Sequence, residues 1–245
     1  HQQLLGRRVP RMPAKDLHPS VMLRSLPAFI ETFMVRDGKL QAGDLHQERM
    51  LRTLSDWGSE PSQPLFQSLL SDTPWLEVET YLTKQPLLPA TTYRLTLEYD
   101  LTKIRAIRLI PYQRRSISKL RLVQLPEDFD YSYKYADRSF FDRVKATLPD
   151  DEEPLFVRED GTITDTSFTN VLIETEEGYF TPAHPLLKGT QREYLLRCGL
   201  IAEHDHLTLT HLMHARSLLL INALLPLEDT LRLLPTAVID TMTSL

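Results

Sequence analysis

The sequence is poor in cysteine and glycine, and both scarcities exclude classes of protein. Among 245 residues there are one cysteine, Cys198, and eight glycines. A lone cysteine cannot form an intramolecular disulfide, so we expect no disulfide-stapled extracellular domain and a cytoplasmic location. The chain has no P-loop, no dinucleotide glycine fingerprint and no Gly-x-Ser-x-Gly elbow. The NTPase, Rossmann and serine hydrolase classes therefore have no support in the sequence.

Long apolar runs and an excess of basic charge are also missing. No segment approaches the ~20 apolar residues of a membrane-spanning helix, and no signal-like run occurs. The net charge is -5, from 28 basic and 33 acidic residues. We therefore expect neither a membrane nor a nucleic acid as a partner, although residues 93–123 are dense in Lys and Arg. A share of 42% apolar residues is typical of a globular protein, and this length suits two modest domains.

One group of histidines has spacing that resembles a metal site. It contains the residues His204, Asp205, His206, His211 and His214. His211 and His214 would share one face of a helix. No cysteine accompanies them, and the Thr/Leu-rich surroundings indicate a loop that enters a helix. We therefore expect no metal here.

Hydrophobic spacing predicts a chain of mixed α/β (α+β) class. The predicted elements are strand 29–35, helix 45–57, short helices and loops over 59–91, strands 94–99, 104–110 and 117–123, helix 136–147, strands 155–158 and 171–174, a helix from Gly189 to Gly199, and strand 217–221. Residues 1–28 lack apolar periodicity and are predicted to be a flexible segment. A break at residues 111–115 separates a small N-terminal domain, 29–110, from a larger C-terminal domain, 111–245.

Two motifs in the second half of the chain suit a pyridoxal phosphate site. Residues 133–138 (Tyr-Lys-Tyr-Ala-Asp-Arg) supply Lys134 on a short aromatic stretch. About thirty residues later, residues 164–170 (Thr-Asp-Thr-Ser-Phe-Thr-Asn) supply Asp165. The cofactor requires a lysine amine for its imine and an acid beside its pyridine nitrogen, so that the protonated ring withdraws electrons. The two motifs together predict this cofactor.

Two further motifs stand in the order of a known family. Residues 46–49 (His-Gln-Glu-Arg) follow the first strand, and residues 189–192 (Gly-Thr-Gln-Arg) open a helix. With the lysine and acid motifs, they resemble the class IV aminotransferase, or fold-type IV, family, which includes branched-chain and D-amino-acid aminotransferases and aminodeoxychorismate lyase. The resemblance covers residues 29–227. It implies a two-domain D-amino-acid aminotransferase-like fold, a cofactor held in the interdomain cleft mostly by the larger domain, and a homodimer.

The resemblance also implies a role for individual residues. Lys134 would bind the cofactor and then carry a proton to and from the substrate. The remaining cofactor contacts would come from Arg49, Thr190, Gln191, Asn222 and Ala223 at the phosphate, from Asp165 beside the pyridine nitrogen, from Asp137 near the phenolic oxygen, and from Asn170. Asp165 replaces the family's usual Glu, so the ring must lie closer to it or a water must intervene. Arg114 or Arg115, at the domain junction, would bind a carboxylate of a small-molecule substrate.

Finer features favour the lyase branch of the family. Residues 134–138 (Lys-Tyr-Ala-Asp-Arg) are similar to the lyases' Lys-x-x-Asn-Arg, and Ser139 stands where branched-chain enzymes have Tyr. Residues 222–227 (Asn-Ala-Leu-Leu-Pro-Leu) are similar to the lyases' Asn-Ala-Leu-Met-Pro-Val. The lyase cleaves 4-amino-4-deoxychorismate into 4-aminobenzoate and pyruvate in folate biosynthesis. Two alternatives remain: an aminotransferase for a branched-chain or D-amino acid, and a non-catalytic ligand-binding relative, suggested by Asp165.

Overall fold

The computed structural model describes residues 27–71 and 73–243. The chain divides into two compact units. Within the described residues, the first unit contains 27–71, 73–113 and 133–137, and the second contains 114–132 and 138–243. The predicted flexible segment 1–28 lies almost entirely outside the described residues. None of the described helices is both long enough and apolar enough to cross a membrane.

The first unit is built on a four-stranded antiparallel sheet in the order β2-β1-β3-β4. Its strands are β1 (Phe29–Arg36), β2 (Lys39–Leu40), β3 (Thr92–Tyr99) and β4 (Ile104–Pro111). Its helices are α1 (Gly43–Asp56), α2 (Pro64–Leu69) and α3 (Thr73–Thr83). Asp37 and Gly38, both with positive φ, form the two-residue turn between β1 and β2.

Charged side chains occupy core positions of both β1 and α1. Alternation along β1 buries Phe29, Glu31 and Phe33 on one face. The buried stripe of α1 consists of His46, Arg49, Met50, Thr53 and Leu54. These positions follow the i, i+3, i+4, i+7, i+8 spacing of one helix face. The sheet and the helix therefore bring a carboxylate, an imidazole and a guanidinium into the interior of this unit.

The lysine segment, residues 133–137, completes the edge of β1. Because β2 pairs only with the last residues of β1, the first residues of that edge are available to another segment. Ile30 N donates to Lys134 O at 2.9 Å, and Ala136 N donates to Ala28 O at 2.8 Å. The helix predicted over 136–147 consequently begins only at Ser139, since the residues before it are engaged with β1.

The second unit contains one large mixed sheet. Its strands are β5 (Lys119–Gln124), β6 (Glu152–Val157), β7 (Ile163–Thr166), β8 (Asn170–Thr175), β9 (Gly178–Pro182), β10 (Ile201–His204), β11 (Ser217–Ile221), β12 (Leu231–Leu233) and β13 (Val238–Thr243). The main order is β10-β9-β8-β7-β6-β5-β13, and β11 pairs with β8 and β12. Its helices are α4 (Ser139–Ala146), α5 (Thr190–Arg197) and α6 (Leu209–His214). All the predicted strands are confirmed; β7, β9, β10, β12 and β13 are additional.

The apolar run of β11 is buried on both faces of the sheet. Leu218 and Leu220 join one core cluster, and Leu219 and Ile221 join a second cluster that includes Leu195 of α5. Successive side chains of a strand point to opposite faces, so a continuous apolar run is what a doubly covered strand requires. This packing fixes the end of β11, and therefore the residues that follow Ile221, against α5 and β8.

Candidate active site

A tight hairpin in the second unit carries the predicted acid. We call residues 165–170 the acid turn. Asp165 lies in β7 and Asn170 begins β8, and the two residues are antiparallel partners. Thr169 N donates to Thr166 Oγ1 at 3.0 Å, which closes the turn internally. The backbone therefore holds Asp165 and Asn170 side by side.

Asp165 is a buried carboxyl that accepts hydrogen bonds from two neutral N–H donors. Its Oδ1 accepts from Asn170 Nδ2 at 3.1 Å, and its Oδ2 accepts from Leu187 N at 3.0 Å. Burial raises the pKa of Asp165 to about 7, in spite of these hydrogen bonds and the charges of Arg192 and Arg158. No ion pair forms at this carboxyl within residues 27–71 and 73–243. A protonated ring nitrogen would stabilise such a carboxylate, so the site fits the expected pyridine.

Asn170 links the acid turn to the start of α5. Its Nδ2 also donates to Leu187 O at 2.8 Å, and its Oδ1 accepts from Gly189 N at 3.2 Å. A Cβ atom on Gly189 would lie only 2.3 Å from Asn170 Oδ1. Glycine is therefore required at this position because of the close approach of a side chain. The side-chain amide of Asn170 therefore fixes the positions of both Asp165 and Gly189, the residue before α5.

The N-terminus of α5 fits a phosphate group. The helix begins at Thr190 after the N-cap Gly189, whose side chain cannot cap it. The first N–H groups of an α-helix have no intrahelical acceptor, so those of Thr190 and Gln191 are suited to bind an anion at the positive end of the helix dipole. Thr190 is buried and Gln191 is half-buried. The absence of a side-chain cap leaves this place for a ligand oxygen.

The turn after β11 docks on the acid turn. Ile221 is the antiparallel partner of Asn170, so Asn222 follows directly beside the start of β8. Asn222 Nδ2 donates to Phe168 O at 3.0 Å, and its Oδ1 accepts from Leu224 N at 2.9 Å. The second unit thus brings together six predicted residues, namely Asp165, Asn170, Thr190, Gln191, Asn222 and Ala223. Their contacts with a cofactor stay a prediction.

Two further residues, Glu153 and Arg138, were not among the predicted site residues, and both form hydrogen bonds with Ser167 of the acid turn. Glu153, which is completely buried, accepts from Ser167 N at 3.0 Å and from Ser167 Oγ. Arg138 donates from Nη2 to Ser167 O, and its guanidinium lies 4.3 Å from the centre of the Phe141 ring. Arg138 was noted only as part of a motif. Nothing in the sequence indicates that Glu153 belongs to the site, because it ends a run of four acidic residues, a pattern that is typical of an exposed loop.

The two candidate substrate arginines have different surroundings. Arg114 pairs with Asp229 Oδ1 at 2.7 Å and also donates to Thr230 O. The guanidinium of Arg115 stacks on the acid turn, 4.1 Å from the centre of the Phe168 ring, and Arg115 is exposed to solvent. Arg115 therefore lies beside the predicted cofactor residues of the second unit. Of the two, its position suits a substrate carboxylate better.

In the first unit, Arg49 belongs to a buried ionic cluster with Glu31 and His46. Arg49 Nε donates to Glu31 Oε1 at 2.7 Å, and Arg49 Nη2 donates to Glu31 Oε2. His46 Nδ1 lies 3.1 Å from Glu31 Oε2. Burial alone would raise the pKa of Glu31, but the charge and hydrogen bonds of Arg49, together with His46, lower it to about 2. Burial lowers the pKa of His46, and because a carboxylate oxygen can only accept, His46 Nδ1 is the donor in its contact with Glu31.

Lys134 lies in the same unit as Arg49. Its backbone is held against Ile30, one residue before Glu31, and its side chain is half-buried. The positive charge of Lys134 contributes to the lowered pKa of His46. Asp137 is exposed at the end of the same segment. The first unit therefore contains Lys134, Arg49 and Asp137, and the remaining predicted cofactor residues belong to the second.

The histidines that resembled a metal site have structural roles. His204 Nδ1 accepts from His206 N at 3.1 Å in a turn. His211 Nδ1 accepts from Thr208 N at 3.0 Å and completes a capping box at the start of α6. In the part of the chain that the structure describes, no three His, Cys, Asp or Glu side chains are arranged to hold a metal ion.

Comparison with known proteins places these motifs in one family. Residues 28–227 match the sequence model of the family described as amino-transferase class IV. A protein of Haemophilus influenzae is 31% identical over 173 residues, which cover 71% of this chain and 85% of that protein.

Solved structures share the fold at lower identity. A Haemophilus somnus protein provisionally named 4-amino-4-deoxychorismate lyase has a TM-score of 0.69 and 24% identity, over 82% of this chain and 98% of that one. A Mesorhizobium loti protein provisionally named amino-acid aminotransferase has a TM-score of 0.65 and 19% identity, over 86% and 99%. A provisionally named Mycobacterium tuberculosis aminotransferase, in its pyridoxal phosphate-bound form, has a TM-score of 0.60 and 19% identity, over 89% and 84%.

Proposed function

Because this chain belongs to the class IV aminotransferase family of pyridoxal phosphate-dependent enzymes, we propose that it is a lyase of the 4-amino-4-deoxychorismate type. The observation that carries the choice of lyase is the lyase-like run 222–227, whose Asn222 docks on the acid turn. Arg138, which belongs to the lyase-like motif 134–138, donates a hydrogen bond to Ser167 O of the same turn. The names given to two similar structures agree with this choice.

The residues of the second unit would orient the cofactor. Pyridoxal phosphate, when bound, supplies a ring that withdraws electrons from the reacting carbon of the substrate. Asp165 would lie beside the ring nitrogen and hold its proton there, because a carboxylate next to that nitrogen favours its charged form. Thr190 and Gln191 would donate their backbone N–H groups to the phosphate.

The residues of the first unit would provide the amine and a further phosphate contact. Arg49 would bind the phosphate through its planar fork of donors. Lys134 Nζ would take the ring proton from the amine-bearing carbon of 4-amino-4-deoxychorismate. The C–O bond to the enolpyruvyl group then breaks, and that group leaves as pyruvate after gaining a proton. The remaining ring becomes 4-aminobenzoate, and its aromaticity makes the step effectively irreversible.

The decisive experiment supplies 4-amino-4-deoxychorismate to the cofactor-loaded protein and measures pyruvate and 4-aminobenzoate. Equal amounts of both products, formed by the parent protein and lost in Lys134→Ala, would support the lyase. A protein with cofactor fully bound that releases neither product would reject it. Lys103→Ala is the matched control, because Lys103 is exposed in the turn between β3 and β4 and is not a predicted cofactor residue.

A second candidate is an aminotransferase. The similar structures from Mesorhizobium loti and Mycobacterium tuberculosis carry that name, and Asp137 replaces the Asn of the lyase motif. An aminotransferase would convert a branched-chain or D-amino acid to its oxo acid in a half-reaction without a second substrate. Detection of that oxo acid, with no pyruvate from 4-amino-4-deoxychorismate, would favour this candidate. Membership of the family supports an enzyme over a non-catalytic binding protein.

We also propose that the protein works as a cytoplasmic homodimer in folate synthesis. The family resemblance and the lone Cys198 support this setting. Light scattering on the purified protein would test the dimer, and a mass of one chain would reject it.

A further inference from the structure

Glu31 is a carboxylate at a core position of β1. Neighbouring positions on the same face hold Phe29 and Phe33, and the exposed fraction of Glu31 is 0%. Burial of a charged side chain costs several kcal/mol unless a partner of opposite charge compensates for it. An apolar residue at this position would leave Arg49 and His46 without the acceptor that Glu31 provides. The presence of Glu31 therefore indicates a role toward its partner, Arg49.

The contacts of Glu31 determine the orientation of the Arg49 guanidinium. Its two oxygens accept from Nε and from Nη2, so the carboxylate covers one whole edge of the planar group. A paired contact of this kind fixes rotation of the plane as well as its distance. The direction in which Nη1 points is then set by Glu31.

Two neighbours hold this arrangement in place. His46 Nδ1 contacts Glu31 Oε2 at 3.1 Å, and the His46 ring packs against Phe33 with 4.0 Å between ring centres. Thr53 Oγ1 donates to Arg49 O at 2.9 Å, one turn along α1. Because Glu31 and Arg49 carry opposite charges, each compensates for the buried charge of the other.

We propose that Glu31 is a positioning residue that acts through Arg49 to orient its guanidinium toward the phosphate of the cofactor. This inference rests on the proposed function, in which Arg49 binds that phosphate. An ion pair with only a structural role would stabilise the unit without affecting how well the protein distinguishes phosphorylated from unphosphorylated ligand. Glu31 as a positioning residue would affect that discrimination.

The test compares pyridoxal 5'-phosphate with pyridoxal, which lacks the phosphate, in equilibrium titrations of cofactor-free protein. In Glu31→Gln, the amide accepts from only one guanidinium N–H and turns a donor toward the other. We expect its affinity for pyridoxal phosphate to fall about tenfold or more, with affinity for pyridoxal changed less than about twofold. Glu31→Asp keeps the charge but shortens the reach, and we expect a smaller loss with the same dependence on phosphate.

Glu152→Gln is the matched control. Glu152 is also buried and also takes Nε and Nη2 of one arginine, Arg121, at 2.7 and 3.0 Å, but it contacts none of the predicted cofactor residues. We expect its affinities for both ligands to equal those of the parent. In an Arg49→Lys background, Glu31→Gln should have no further effect on pyridoxal phosphate affinity, because its action depends on the guanidinium.

The outcomes separate this inference from the function on which it rests. If the parent binds pyridoxal phosphate no better than pyridoxal, the phosphate contact in the proposed function is wrong. If the parent prefers the phosphorylated ligand and Glu31→Gln keeps the whole preference, Glu31 has only a structural role and the inference is overturned. Thermal unfolding of each variant without ligand shows whether it is folded. If Glu31→Gln does not fold, Glu31→Asp decides the question.

Discussion

The two units each contain a buried carboxyl, and the pKa values of the two groups are shifted in opposite directions. The pKa of Glu31 is lowered to about 2, whereas that of Asp165 is raised to about 7. Burial raises both, so the difference comes from the partners. Glu31 has a cation of the chain, Arg49, at hydrogen-bond distance, whereas the hydrogen bonds that Asp165 accepts within the described residues come from neutral donors. A buried acid that is paired with a cation of the chain can orient that cation, and a buried acid that accepts from neutral donors is suited to a cationic ligand.

Replacement of Asp165 should have the largest effect on activity. Asp165→Asn keeps the shape but removes the negative charge that would hold a proton on the ring nitrogen. We expect turnover to fall about a hundredfold or more, with the cofactor still bound through Lys134. The measurement is the rate of product formation by cofactor-saturated enzyme. Asp160→Asn, in an exposed turn, should stay within about twofold; equal losses in both variants would contradict the assignment.

The same replacement should stabilise the cofactor-free protein, in contrast to any change at Glu31. The pKa of Asp165 is about 7 in the folded protein, against an ordinary value of 3.8. The Asp165 carboxyl therefore lowers the free energy of unfolding by an amount that is absent below pH 4 and grows until about pH 7. At ~1.4 kcal/mol per pKa unit, Asp165→Asn should raise the free energy of unfolding by up to about 4 kcal/mol at pH 8. Urea unfolding at pH 5 and pH 8 measures this gain. A gain that does not increase with pH would show either that the Asp165 carboxyl is not buried or that a cation lies beside it.

The contact between Gly189 and Asn170 tests how the second unit places its acid. In Gly189→Ala, the new Cβ would displace the Asn170 amide and with it the hydrogen bonds to Asp165 and Leu187. We expect pyridoxal phosphate affinity to fall about tenfold. Gly43→Ala is the control, since no atom lies within 4 Å of its Cβ position and its φ is not positive. Equal affinities for parent and Gly189→Ala would mean that Asn170 is not needed for the site.

The smallest expected effect concerns the substrate. Arg115→Ala should raise KM about tenfold and leave kcat nearly unchanged, because it removes one charge-assisted contact to a carboxylate. Arg114→Ala should change KM less than about threefold, since Arg114 is engaged with Asp229 and Thr230. Steady-state kinetics distinguish the two arginines. The reverse order would show that the stacking of Arg115 on Phe168 has only a structural role.

Asp165 could be predicted from the sequence as a residue of the site, whereas the role of Glu31 beside Arg49 could not. Asp165 stands in a polar turn before a buried strand, and such local patterns are visible in one short stretch. Glu31 occupies a position of β1 that looks like an ordinary polar residue of a half-exposed strand. Its burial depends on the pairing of β1 with β3 and on the packing of α1, which are tertiary contacts.

The fold was predictable where the signal is local. The apolar run 217–221 predicted β11, and Gly199, with φ of 70°, ends α5 as expected. The short strand β7 (Ile163–Thr166) was missed, because two threonines and an aspartate follow its single apolar residue. That strand forms through its neighbours β6 and β8. Likewise, the contact between Asn170 and Gly189 joins residues that are nineteen positions apart, and no local pattern reveals it.

The most direct test follows the protonation of Asp165 itself when the cofactor binds. Infrared difference spectra at pH 6, with Asp165→Asn as the reference, detect the carbonyl band of a protonated carboxyl group. The cofactor-free protein should show this band, because burial raises the pKa of Asp165 to about 7. The band should disappear when pyridoxal phosphate binds, since a protonated ring nitrogen beside the carboxylate lowers that pKa. A band that persists in the cofactor-bound protein would contradict the account.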